Sequence, residues 1–477
     1  MHVVIAGGGS AGHIEPALNT ADALRRADPL IGITMLGTEK GLDTKLIPAR
    51  GYELRLIPAV PLPRKPSAAL LTLPSRLLGT VKAAQQVITD VDADVVIGFG
   101  GYVALPAYLA ARRAKRPIVV HEANIRPGLA NRVGAKFTDH VLTGSPAVPM
   151  PGATCVGMPL RPAITGLDRA AVRAEARKAF GLDPDRPTLL VTGGSQGARR
   201  LNDTMVASVK TLHDAGIQVL HSYGDKNAVA IEADPDGPPY VARPYVDRMD
   251  LAYAAADLAM TRSGMMTCSE LAAVGLPSVY VPLPVGNGEQ RLNAAPVVAA
   301  GGGLVIDDAA LTPQWFAANV VPLLLDAERL TAMSEAARRF GIRDADEKIV
   351  DLVFAAAGVT RPRGVGAGSA GSAGGAATGS VAQAAETAKA AEVTAEPAEA
   401  TAAETAKAAE PAEVIAVEPA EVAKSAASEP AEPVEATAAE PAKAAEPAEA
   451  TATEPAEPAE VPAAVAAEAT ATEDGDR

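Results

Sequence analysis

The chain is 477 residues long, 48% hydrophobic but only 3% aromatic, with a formal net charge of −14. That length implies two or three domains. From Arg361 onward there are 22 acidic and 7 basic residues, against 57 and 43 in the whole chain, so the acidity lies in the tail. What precedes it is close to neutral, which excludes a strongly basic nucleic-acid-binding surface.

Two cysteines, Cys155 and Cys268, stand far apart and in no metal-ligand spacing, the pattern of a reduced intracellular protein. The N-terminus runs into a strand with no basic n-region or cleavage site, so no secretory leader is expected. No uninterrupted apolar stretch approaches a membrane span.

In chain order, HVVIAG, IGITMLG, DVVIGFG, PIVVHE and HVLTG are short apolar runs separated by helical patterns. After Arg161 the alternation restarts with PTLLVTGG, IQVLHSYG, DLAMTRSG, PSVYVPLP and GGLVID. Continuous apolar strands joined by helices predict an α/β chain with parallel sheets covered on both faces. ATCVGMPLRP, 153–162, carries two prolines and is read as the linker, dividing a first domain at 1–158 from a second at 159–358. AERLTAMSEAARRFG and DADEKIVDLVFAAAG read as two closing helices, the last expected to pack back on the first domain.

Residues 361–477 hold no Phe, Trp, Tyr, His or Cys and repeat variants of AEPAEATAAETAKAAEPAEV. Proline returns every few residues and breaks any helix. Such a segment cannot bury enough apolar surface to offset its ordering entropy. A disordered acidic tail from 359 onward is predicted, either a solvated extension or an interaction segment.

Two strand–glycine–helix junctions occur, one per half: AGGGSAGH and VTGGSQGARRLN. In each, glycines let the backbone approach closely, and free N–H groups at the helix start can receive a phosphate. Gly7, Gly9 and Gly12 fit the G-x-G-x-x-G of dinucleotide sites, but that motif alone also describes a tight turn that binds nothing. A dinucleotide site needs an acidic residue at the end of the second strand, about 20 residues on. Here that strand ends in Met35-Leu36-Gly37-Thr38, which argues against a nicotinamide cofactor. Two Rossmann-like halves, each with a glycine loop, better suit one ligand in the cleft between them. His13 follows the last glycine; a neutral histidine at a helix N-terminus is either a usable base or a simple cap. Glu270 falls in the first turns of a helix after Ser263-Gly264, as a carboxylate for ribose hydroxyls or as a plain surface residue. GNGEQRLNA offers Asn287, Glu289, Gln290 and Asn293, groups that read sugar hydroxyls or merely line a polar loop.

Seven segments occur together in order: AGGGSAGHIEPAL, GFGGYVALPAYLAA, HEANIRPGLANR, VGMPLRP, GGSQGARRLN, RSGMMTCSELAAVGLP and GNGEQRLNA. They resemble the MurG family of bacterial cell-wall glycosyltransferases across about residues 1–357, and the GNGEQRLNA wording with the acidic tail looks actinobacterial. The resemblance implies a GT-B fold, two Rossmann-like domains facing a central cleft, and metal-independent inverting transfer without a cofactor. The implied donor is UDP-N-acetylglucosamine. The implied acceptor is the C4 hydroxyl of the muramoyl sugar of lipid I, and the product is lipid II. Carried over by position, Ser10, Ala11 and Gly12 match the first loop's donor-contacting triplet, Asn124 the asparagine after His-Glu, and Arg161 the interdomain arginine. Ser195 and Gln196 match the second-loop pair, Val246 and Met249 the apolar positions near uracil, Glu270 the ribose carboxylate, and Gln290 and Asn293 the sugar-reading amides. His13 matches the catalytic base, with His121-Glu122 as the other candidate pair. Glu289 and Gly288 depart from the Gln and Arg of some relatives.

Departure of UDP needs charge stabilisation, which the GGSQGAR loop supplies with its N–H groups, aided by Arg199 or Arg161. A lipid acceptor implies a peripheral enzyme at the cytoplasmic face of the membrane. VPLPRKPSAALLTLPSRLLGTVKAA, 60–84, sets Arg64, Lys65 and Arg76 beside Leu73 and Leu77, a basic-apolar segment that can rest on an anionic surface or pack as a core helix with a basic flank. ARRAKRP, 111–117, adds charge. The rivals are a UDP-sugar glycosyltransferase of the same fold with another acceptor, a dehydrogenase, and a non-catalytic UDP-sugar-binding scaffold.

Overall fold

Val3 and Ile5 enter one apolar cluster while Val4 and Ala6 enter another. The same division puts Leu189 and Val191 in a third cluster and Leu190 in a fourth. Alternate side chains of a strand point to opposite faces, so each sheet is apolar on both sides and sandwiched between helices. This computed structural model describes residues 1–362 apart from 40, 61–68, 195, 233, 235 and 286–287, and only the backbone of 69–72. The acidic tail, Arg64, Lys65 and Ser195 lie outside the described residues.

The first sheet contains β1 (His2–Gly7), β2 (Gly32–Gly37), β3 (Glu53–Leu56), β4 (Val95–Gly100), β5 (Ile118–Glu122), β6 (Val141–Thr143) and β7 (Thr154–Cys155). Their order is β3-β2-β1-β4-β5-β6-β7. The second contains β8 (Thr188–Thr192), β9 (Gln218–Ser222), β10 (Tyr240–Arg243), β11 (Leu258–Thr261), β12 (Ser278–Tyr280) and β13 (Gly303–Val305), in the order β10-β9-β8-β11-β12-β13. All pairings are parallel. Both sheets reverse direction of winding once, between β1 and β4 and between β8 and β11. Ligands of open α/β sheets bind outside the carboxyl ends of the strands at such a point.

Ten of the thirteen strands among the described residues lie where the apolar runs predict them. β3, β7 and β10 were not foreseen. β3 is ELRL and β10 is YVAR, charged strands at sheet edges with much of their surface exposed. β7 sits inside the segment read as a linker, which therefore first adds an edge strand to the first sheet. After the second sheet is complete the chain returns: in the helix Ala345–Ala356, Ile349, Val350, Val353 and Phe354 join the cluster of Val3, Ile5 and Leu18. Arg26 and Asp346 pin that return at 2.6 Å. No helix among the described residues is long and apolar enough to cross a membrane.

Candidate active site

The first glycine loop leaves β1 at the switch point and enters the helix Ala11–Ala27. A Cβ on Gly101, at φ +79°, would overlap the Gly8 carbonyl, so the turns after β1 and β4 meet backbone to backbone. His13 is half-buried at the helix start, with Nδ1 2.9 Å from the Ser10 hydroxyl and the Nε2 edge of its ring against Gly100. Burial lowers its pKa from 6.5, opposed by the nearby Asp43. Asp43 is fully buried and accepts from Gly9 N at 3.0 Å and from the Thr38 hydroxyl at 3.1 Å. A carboxylate thus already occupies one donor of the first loop, which weakens that loop as a phosphate cradle. The N–H groups of Ala11 and Gly12 have no intrahelical acceptor, and Ser10 makes no side-chain cap.

Glu122, at the end of β5, is only 3% exposed. Its Oε1 accepts from Asn124 N, and its Oε2 from Gly128 N and Asn131 Nδ2, all at 2.9 Å. Burial raises its pKa and these donors pull it back. The carboxylate holds the loop 123–128 in shape. His121 is fully buried, its Nε2–H donates to the Gly157 carbonyl at 2.9 Å, and burial takes its pKa down to about 4.

That loop meets the second sheet. Asn293, in the helix Glu289–Ala299, is 3% exposed. Its Nδ2 donates to Asn124 Oδ1 at 3.2 Å, and its Oδ1 accepts from Ile125 N at 3.2 Å. Gln290, one turn earlier, accepts through Oε1 from Ser263 N at 3.2 Å and Leu283 N at 3.0 Å, clamping the turns after β11 and β12. The helix Met265–Val274 opens at Gly264 with no side-chain cap. The helix Arg199–Ala207, after the second glycine loop, likewise lacks one. In that loop Gln196, Arg199 and Arg200 are exposed, and no described carboxylate accepts from its backbone. Uncapped helix starts with cations beside them can receive an anion.

Glu270 is buried on the helix behind Gly264. Its Oε2 accepts from the Tyr253 hydroxyl at 2.7 Å, and its Oε1 lies 3.9 Å from an Arg161 guanidinium nitrogen. Burial raises its pKa; Tyr253 and Arg161 oppose this. Val246 is buried beside the half-buried Met249. Over one face of the first sheet, the helix Ala69–Asp90 exposes Arg76 and, at 49%, Leu78, while Leu77 packs against the core and Leu73 is half-buried.

Residues 3–143 match the glycosyltransferase family 28 N-terminal domain and residues 188–349 its C-terminal domain. The UDP-N-acetylglucosamine–N-acetylmuramyl-(pentapeptide) pyrophosphoryl-undecaprenol N-acetylglucosamine transferase of Streptomyces avermitilis is 62% identical over 357 residues, 75% of this chain and 98% of the relative. The Streptomyces coelicolor protein of the same name is 61% identical over the same shares. The crystal structure of Acinetobacter baumannii MurG superposes with a TM-score of 0.61 at 25% identity, covering 74% of this chain and 98% of that one. The chain belongs to the MurG family of glycosyltransferases.

The described MurG-like positions follow the carboxyl ends of strands in the two sheets, in the two-domain parallel architecture of GT-B enzymes. Four contributors were missed. Asp43 lies six residues past β2 and belongs to no glycine motif. Tyr253, Asn131 and Ser263 act through hydrogen bonds to Glu270, Glu122 and Gln290. Only a contact map, not a spacing, could have found them.

Proposed function

We propose that the chain transfers N-acetylglucosamine from UDP-N-acetylglucosamine to the C4 hydroxyl of the muramoyl sugar of lipid I, with inversion, forming lipid II. The observation that carries the reading is the asymmetry of the two glycine loops. The first has a carboxylate, Asp43, on its backbone and an imidazole at its helix start; the second has an uncapped helix start flanked by Arg199 and Arg200. A diphosphate is favoured at the second and the acceptor hydroxyl at the first.

In this assignment Glu270 takes the ribose hydroxyls, with Tyr253 fixing its other oxygen. Val246 and Met249 flank the uracil, and Arg161 stands beside the ribose carboxylate. Gln290, Asn293 and Asn124 read the sugar, and the second loop with Ser195 and Gln196 holds the phosphates. His13 Nε2 takes the acceptor proton as O4 attacks C1. The C1–oxygen bond to the β-phosphate breaks and UDP leaves with the electron pair. Throughout, Nδ1–H donates a hydrogen bond to Ser10 Oγ, which leaves the Nε2 lone pair free to take the proton, and the proton taken stays on the imidazolium. Charge growing on UDP is met by N–H donors already in place. Glu122 shapes the loop that carries Asn124 and leaves the proton transfer to His13.

The same reading places the protein peripherally at the cytoplasmic membrane face. It is supported by Arg76 and Leu78, both exposed on their helix.

The test is transfer of labelled N-acetylglucosamine to a lipid I analogue, beside soluble sugar acceptors, by the wild-type chain and His13→Ala. Preferential transfer to lipid I, lost in His13→Ala, is expected. Transfer to soluble acceptors in preference to lipid I would overturn the acceptor assignment.

A further inference from the structure

A buried imidazole stands behind the second glycine loop, and no step above uses it. His221, on β9, is fully buried. Its Nε2 lies 3.1 Å from Asn202 Oδ1 and its Nδ1 3.0 Å from the Tyr240 hydroxyl. Asn202 sits on the first turn of the helix Arg199–Ala207, and its Nδ2 donates to the Tyr223 carbonyl at 3.1 Å. With Nδ2 engaged there, Asn202 presents only an acceptor to His221. The ring is therefore the neutral tautomer with its proton on Nε2, and the Tyr240 hydroxyl donates to Nδ1. Burial takes the His221 pKa down to about 4, so this state persists at neutral pH.

The Tyr223 carbonyl is the end of this chain of hydrogen bonds, and it presses on the glycine loop. A Cβ on Gly197, at φ +69°, would overlap that carbonyl, and one on Gly224 would overlap the backbone of Gly197. Asn227 ties the same turn to the loop, donating from Nδ2 to the Gln196 carbonyl at 3.0 Å. An amide at 202 that turned over would set Oδ1 against the Tyr223 carbonyl, two acceptors face to face. The loop backbone would then have to shift. The Nε2–H of His221 prevents that, because it can pair only with the amide oxygen.

We propose that His221 is a positioning residue for the diphosphate: acting through Asn202, it fixes the Tyr223 carbonyl and so the backbone of Gln196 and Gly197 on which the leaving phosphates rest. This inference rests on the placement of the diphosphate at the second glycine loop.

The experiment compares equilibrium binding of UDP and of uridine to the full chain, since the ratio isolates the phosphates. Wild type should prefer UDP. His221→Ala should weaken UDP about tenfold and uridine less than about twofold. His221→Gln, whose side-chain amide can still donate to Asn202 Oδ1, should recover most of the loss. Tyr240→Phe should show a smaller loss confined to UDP, and it decides the matter if His221→Ala does not fold. Equal losses for UDP and uridine, or UDP affinity unchanged in His221→Ala, would overturn the inference while leaving the loop assignment standing. A wild-type chain that binds UDP no better than uridine would instead overturn the loop assignment, and the inference with it.

Discussion

Asn124 and Asn293 belong to different sheets, yet their side-chain amides hydrogen-bond at 3.2 Å, with Asn293 Oδ1 also accepting from Ile125 N. Both stand at positions assigned to the donor sugar, so a bound sugar competes with the clasp that joins the lobes. A double-mutant cycle of Asn124→Ala and Asn293→Ala, read as unfolding free energy without ligand, should give a coupling of about 0.5–1.5 kcal/mol. Saturating UDP-N-acetylglucosamine should shrink it. Additivity within about 0.3 kcal/mol in the free protein would show that the clasp contributes nothing.

The Ser10–His13 contact sets a pH profile. A general base must be neutral, and burial holds the His13 pKa below 6.5. The proton is bound only as pH falls through that lowered value, so kcat/KM should stay level from neutral pH down through 6.5 and fall only below it. Ser10→Ala should lower kcat about tenfold by releasing Nδ1, and Ser10→Thr should retain activity. An acid limb above pH 6.5 would count against His13.

Glu122 separates a loop-holding part from a catalytic one. Its two oxygens receive three donors, and Glu122→Gln would point an NH2 group at one of them. The expected cost is about 1–3 kcal/mol of stability, measured by urea unfolding, with a parallel fall in activity. A variant of unchanged stability and abolished turnover would restore Glu122 as the candidate base.

The sheets were legible because buried parallel strands are unbroken apolar runs: Val3 to Ala6 and Leu189 to Val191 have no polar face to disguise them. β3 and β10 were not, because an edge strand can carry Glu53, Arg55 and Arg243 toward solvent. The glycine loops were legible as strand–glycine–helix junctions. Their difference was not, since it depends on Asp43 folding over Gly9, a contact across 34 residues. Likewise Asn293 reads as a polar loop residue in sequence, and only the fold reveals that its amide reaches the opposite sheet.

The membrane surface predicts a separable phenotype. Arg76 and Leu78 are both exposed on their helix. Arg76→Glu, combined with Arg64→Glu and Lys65→Glu, should weaken sedimentation with anionic vesicles several-fold at low salt, and the gap to wild type should narrow as salt is raised. Affinity for UDP-N-acetylglucosamine should not move. Vesicle binding equal to wild type would remove this helix from the membrane contact.

His121 and His221 make acid stability a readout of the core. Both pKa values are taken down to about 4 by burial, against 6.5 for an exposed imidazole. Below pH 6.5 the unfolded chain binds protons that the folded chain refuses until about pH 4. Their stabilisation is therefore complete above 6.5 and is lost as pH falls across that window, at up to about 1.4 kcal/mol per pH unit for each. Glu122 and Glu270, whose pKa values burial raises, act in the opposite sense, so the wild-type slope alone is ambiguous. The difference between wild type and His221→Gln removes them. Urea unfolding at pH 7, 6 and 5 should show the variant losing stability less steeply, by about 1 kcal/mol per pH unit; parallel slopes would mean that His221 takes up a proton in the folded protein as readily as in the unfolded chain.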